Sequence, residues 1–106
     1  LIMGYDPKDL EGKLGRPDCP VIIDVRSGFE FAAGHIPGAL HLPLLKCLFR
    51  VRQEVPDRER EVVLYCEHGP RAGLVKGLLG AFGYRSTRCL DGHMHRWRRD
   101  RRKIEK

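Results

Sequence analysis

No stretch of this chain approaches the roughly 18 consecutive apolar residues that a membrane-spanning helix needs. The greasiest extended segment, "PLLKCLFRVR", is interrupted by charges, so no membrane span is expected. The four cysteines stand at positions 19, 47, 66 and 89 and form no C-x-x-C pair, which argues against a zinc knuckle or a thioredoxin-type dithiol. No charged-then-apolar leader opens the chain, so a disulfide framework is not expected, a reducing compartment is the default, and the expected location is cytoplasmic. Internal repeats and low-complexity segments are also absent. Among the five histidines one tight pair occurs, His93 and His95. Its i, i+2 spacing does not share a helical face, and no metal site is expected.

What remains is the composition of one folded domain. The chain has 106 residues, 42% hydrophobic and 32% charged, enough for a single core and too few for two. The formal net charge is +6, and the segment Arg96 to Lys106 alone carries +5 of it. The expected organisation is one unit over 1–106, with a core at about 5–97 and a basic tail over 98–106. "RWRRDRRKIEK" is read as a terminal helix that packs Trp97 inward and leaves a solvated basic face. No nucleic-acid partner is expected, although a basic field of this kind draws small anions toward the domain.

Hydrophobic patterning alternates short apolar runs with helical segments. "DPKDLEGKLG" carries Asp6 as an N-cap, Pro7 at the first helical position and Gly15 as a stop. "PVIIDV" (20–25) is a continuous apolar run ending in an acid, as in a strand buried on both faces. A helical turn broken by Gly34 follows, then a loop set by Pro37 and Gly38, and a short strand "ALHL" (39–42). Pro43 opens a helix that ends before Pro56. "EVVLY" (61–65) is the next strand, a helix is expected from Arg71 to Phe82, "STRCL" is a strand, and "HMHRWRRDRRK" is the last helix. Cys47 and Cys89 fall in apolar surroundings and read as small buried hydrophobes. Gly73, Gly77 and Gly80, on one helix, imply close packing against a neighbour. The whole is an α/β domain with a mainly parallel sheet, in which functional residues collect beyond the carboxyl ends of the strands. Asp24 and Cys66 both stand at such ends.

The segment "VVLYCEHGPRAG" (62–73) runs from buried strand into a thiol, a glycine and an arginine. A strand-to-helix loop from Cys66 turns back at Gly69, the residue free to take positive φ, and gathers its N–H groups into an anion-binding nest. The following helix adds its positive end, Arg71 a permanent charge, and His68 a further donor. A thiol held there acquires a lowered pKa and reacts as thiolate. Pro70 removes one N–H donor, and Glu67 sets a negative charge beside the sulfur.

"VIIDVRSGFEFAAGHIPGALHLP", the six-residue loop Cys66 to Arg71, and "FGYRSTRCLDGHMHRW" together resemble rhodanese domains, through their D-V-R, G-H-I-P-G-A, cysteine-loop and closing L-x-G-G and Trp motifs. The resemblance covers about Tyr5 to Trp97. It implies a three-layer α/β domain with a central parallel sheet and helices on both faces, and sulfur transfer through a persulfide. Cys66 would take the outer sulfur of thiosulfate or a small persulfide and pass it to a thiol, cyanide or a protein cysteine, with no metal or organic cofactor. Glu67, His68, Gly69, Pro70, Arg71 and Ala72 would form the binding loop, helped by Asp24 at the same edge. Arg26 and Glu30 would form a salt bridge fixing the strand-to-helix turn, and His35 would hydrogen-bond within its loop. Alternatives left open are a non-catalytic binding module, and phosphatase or arsenate reductase chemistry, which on this fold uses a longer loop. Two positions depart from the pattern. His93 stands where the family usually has a second glycine, and either narrows or recharges the cleft mouth or caps the last helix. Glu67 is expected to repel a dianionic donor, so that Glu67→Gln lowers the apparent KM for thiosulfate.

Overall fold

The computed structural model describes residues 4–106. Four parallel strands form its centre: β1 (Val21–Asp24), β2 (Leu40–His41), β3 (Val62–Tyr65) and β4 (Thr87–Cys89), in spatial order β2-β1-β3-β4. The two central strands pair over their full length, from Val21 opposite Val62 to Asp24 opposite Tyr65. Tyr5 extends the sheet by a parallel bridge to Leu90.

Because side chains alternate across a strand, the apolar runs split into two cores. Ile23, Val62, Leu64 and Cys66 face helices α3 (Leu44–Glu54) and α4 (Pro70–Ala81), burying Cys47, Val51, Val75 and Leu79. Ile22, Val63 and Tyr65 face the opposite way, onto Leu10 of α1 (Pro7–Lys13) and Met94 and Trp97 of α5 (His93–Arg99). The domain is thus the three-layer α/β unit the resemblance implies. A short α2 (Gly28–Ala33) follows β1, and no helix among the described residues is long and apolar enough to cross a membrane.

Local signals set most boundaries. The Asp6 side chain accepts the Asp9 N–H, and Pro7 occupies the first turn of α1. Ser27 and Glu30 form a capping box on α2, with Gly34 at its end.

Three expectations are corrected. The last helix stops at Arg99, where Arg101 adopts φ 56 and turns the chain back. Glu105 then pairs antiparallel with His35, so the chain beyond Arg99 folds back instead of continuing the helix, while Trp97 packs inward and every residue of 98–106 except Arg102 is exposed, as expected. Gly73, Gly77 and Gly80 do not mark close packing: a Cβ at any of them would meet open space. Cys89 is only half-buried, at the outer strand, whereas Cys47 is fully buried.

Candidate active site

β3 ends at Tyr65, and the chain then passes between the N-termini of α4 and α5. Three backbone-linked bonds hold Cys66 and Glu67 to the start of α5. Met94 N–H donates to the Cys66 carbonyl (3.0 Å), His95 N–H to the Glu67 carbonyl (3.1 Å), and Cys66 N–H to His93 Nδ1 (3.2 Å). Helix N-terminal N–H groups have no partner within their own helix, so these loop carbonyls satisfy two of those of α5.

The N-terminus of α4 is used differently. Its N-cap is Gly69, at φ 131, which provides no capping side chain. Its N–H groups are therefore left for the sulfur: Cys66 Sγ accepts from Gly69 N–H at 3.0 Å and from Ala72 N–H at 3.5 Å. Pro70 contributes none. Burial opposes the charged thiolate, but the His93 ring and the Ala72 and Gly69 N–H groups outweigh it and hold the Cys66 thiol down at about 7. Burial alone pushes Cys47 up to about 11. The site thus gives one cysteine, and not its buried neighbour, the character of a nucleophile near neutral pH. Cys66 is fully buried, while His68 and Pro70 of the loop are exposed.

The ion pairs differ from those expected. Arg26 does not pair with Glu30. It is buried, it holds both carboxylate oxygens of the fully buried Asp24 at 2.8 to 3.1 Å, and it donates to the Gly34 carbonyl at 2.7 Å and to Glu67 at 3.2 Å. Asp24 is therefore consumed in anchoring Arg26 and has no surface to offer a substrate. Glu30 instead grips Arg71, with both Nη atoms on its two oxygens at 2.6 and 3.0 Å. The Arg71 bonds, with burial opposing and Ser27 helping, hold the Glu30 carboxyl down at about 2. Arg71 so ties α2 to α4 and meets the sulfur with its charge already shared.

Glu67 is also not the bare acid expected beside the sulfur, because Arg26 and Arg98 both bind its carboxylate. His35 Nδ1 lies 2.9 Å from the Phe31 carbonyl and its ring stacks on Phe31. His41 was not singled out in the sequence, yet its Nε2 is 2.8 Å from the Arg26 carbonyl. No spacing rule links those two positions.

The His68 ring lies tilted against that of His95, with ring centroids 4.9 Å apart, and each can place a ligand atom within 4.8 Å of one on Glu67. Two guanidiniums already occupy that carboxylate, so a cation there would meet like charge, and the three residues are not assigned as a metal centre.

The profile of the rhodanese-like domain matches residues 6–100. A sulfurtransferase of Allochromatium vinosum is 33% identical over 93% of this chain and 91% of its own length. The thiosulfate:glutathione sulfurtransferase of Saccharomyces cerevisiae is 27% identical over 91% of this chain and 78% of its own. Among solved structures, a thiosulfate sulfurtransferase from Pseudomonas aeruginosa superposes with a TM-score of 0.86 at 25% identity, over 97% of this chain but only 20% of that one. With the profile spanning both cores and the Cys66 loop, and relatives of this length named for sulfur transfer, the chain belongs to the rhodanese-like domain family.

Proposed function

We propose that this domain is a rhodanese-type sulfurtransferase that carries a sulfane sulfur on Cys66, taking it from thiosulfate or a low-molecular-weight persulfide and delivering it to a thiol or cyanide. The observation that carries this reading is the thiol held at about 7, with the N–H groups of Gly69 and Ala72 directed at its sulfur. The Cys66 thiolate attacks the outer sulfur of the donor, the donor's S–S bond breaks, and sulfite or a thiolate leaves with the electron pair. The new terminal sulfur keeps the negative charge, and the same N–H groups stabilise it as an oxyanion hole stabilises oxygen. Attack on that terminal sulfur by the acceptor thiolate or cyanide then releases the Cys66 thiolate, so two displacements give ping-pong kinetics. Six residues from Cys66 to Arg71 suit a single sulfur atom better than a tetrahedral phosphate.

The test is the intact mass of the reduced protein after incubation with thiosulfate and, separately, with glutathione persulfide, beside Cys66→Ser. A gain of one sulfur atom that is absent from the variant is the expected result, and it identifies the better donor class. No gain with either donor, in protein with a free Cys66, overturns the proposal.

A further inference from the structure

His93 stands where the family pattern has glycine, and its backbone shows the misfit. At φ 53 it lies in the left-handed region, where a Cβ is strained. Such strain persists only where surrounding contacts impose it. The ring is turned inward, 9% exposed. Its Nδ1 receives the Cys66 N–H at 3.2 Å, and its Nε2 edge lies against Gly69, 3.2 Å from where a Cβ on that residue would stand.

A ring nitrogen that accepts an N–H bears no proton of its own, so the neutral ring carries its proton on Nε2. That nitrogen lies against Gly69, the residue whose own N–H donates to Sγ at 3.0 Å. We propose that His93, in this tautomer, donates a hydrogen bond to the anionic sulfur on Cys66, thiolate or persulfide, and replaces the donor that Pro70 removes from the loop. The inference deepens the reading of Cys66 as the sulfur carrier and rests on it.

In the first displacement His93 moves no proton. The Sγ–S bond forms, the donor's S–S bond breaks, the leaving group takes the electron pair, and Nε2–H faces the charge that remains. In the return step the Cys66 thiolate leaves with its pair toward the same donor. After opposing burial, the ring is the foremost of the influences that lower the thiol. The other titratable and charged groups around the pair are Glu67 and His68 on the loop, Arg71 on α4, Cys89 on β4, His95, Arg96 and Arg98 on α5, and Arg26, which reaches in through Glu67.

The test compares His93→Gly and His93→Gln with the parent protein. Glycine removes the ring and relieves the positive φ, so the fold is expected to hold, as circular dichroism and Tm will report. The Cys66 titration is read from thiolate absorbance against Cys66→Ser, a measurement that needs neither substrate nor access to the sulfur. Losing one hydrogen bond to a charged group is expected to raise the Cys66 midpoint from about 7 by about one unit, and to slow sulfur uptake at about pH 7 about fivefold through the smaller thiolate fraction. Glutamine, whose side-chain N–H reaches the place of Nε2, is expected to recover part of both. An unchanged midpoint in folded His93→Gly overturns the proposal, and so does an equal shift in both variants, which would assign the effect to packing. If the midpoint shifts as expected but the parent protein takes up no sulfur, the hydrogen-bond donor stands and only the sulfurtransferase reading fails.

Discussion

Arg98 decides what charge an incoming anion meets at the mouth of the site. A lone carboxylate at Glu67 would repel thiosulfate, but Arg26 and Arg98 both hold it, and with Asp24 on Arg26 the two carboxylates and two guanidiniums carry no net charge, which loss of Arg98 would turn negative. Arg26 is fixed by the buried Asp24, whereas Arg98 is partly exposed and therefore the adjustable member. Arg98→Gln is expected to raise the apparent KM for thiosulfate severalfold at low ionic strength and less at high salt, because exposed charges are screened within about 10 Å at 0.1 M. Initial-rate kinetics at two salt concentrations will check it, and a KM indifferent to both the variant and the salt would show that Glu67 and its partners do not face the donor. Asp24→Ala strands a buried guanidinium and is expected to cost about 3–5 kcal/mol by urea denaturation.

The acid Glu30 gives a stability signature with a defined sign. Its folded pKa, about 2, lies below the ordinary 4.5, so its pairing with Arg71 contributes fully above about 4.5 and is lost as pH falls toward 2. The pair is about a third exposed, so the contribution is a modest one. Wild type is expected to be more stable than Glu30→Gln at pH 6, with the difference vanishing near pH 2. Equal stability at pH 6 would mean that the α2 to α4 tie is not formed in solution. These partnerships were not legible in the sequence. Arg26 and Glu30 have a helix-like spacing, but Arg26 precedes the cap Ser27, where the chain has not begun to coil and turns the guanidinium back under β1. The true partners of Arg26 and Glu30 across the site, Glu67 and Arg71, lie 41 residues away, beyond any local rule.

At the scale of elements, legibility follows the locality of the cause. Asp6 with Pro7, Ser27 with Glu30, and the apolar runs at 20–25 and 61–65 each carry their own structural reason, and the helices and strands are found there. Glycines in α4 mislead because a glycine in a helix suggests a tight contact, while Gly77 faces open space. Helix propensity then acts alone. Gly77→Ala is expected to stabilise the domain by about 0.5–1 kcal/mol without touching the site, since alanine restricts the unfolded chain and suits the helix. Thermal unfolding with parallel activity assays checks this. A loss of stability would mean that α4 packs against something at that face.

At the scale of the whole molecule, the basic C-terminal segment belongs to the fold. After Arg101 turns the chain, the Lys103 carbonyl accepts the Trp97 Nε1–H at 2.7 Å, and Arg102 and the Lys103 N–H both bind Glu11 of α1 at 2.9 Å. Glu105 and His35 then exchange two backbone bonds at 2.8 and 2.9 Å, and Ile104 covers Gly34. Gly34 accepts from Arg26, which binds Glu67, so the last residues brace the loop that braces the active-site edge. Removing residues 100–106 strips the partner from a fully buried tryptophan, although it also frees a segment whose ordering opposes folding. The net loss is expected to be about 1–3 kcal/mol, since each intramolecular bond contributes only about 1 kcal/mol and the freed entropy offsets several of them. Urea denaturation of the truncated chain measures it. If the loss appears, the sulfur-uptake rate should fall as well, because Arg26 loses the support of its Gly34 contact. Full stability and full activity after truncation would return this segment to the solvated basic tail that its composition alone suggests.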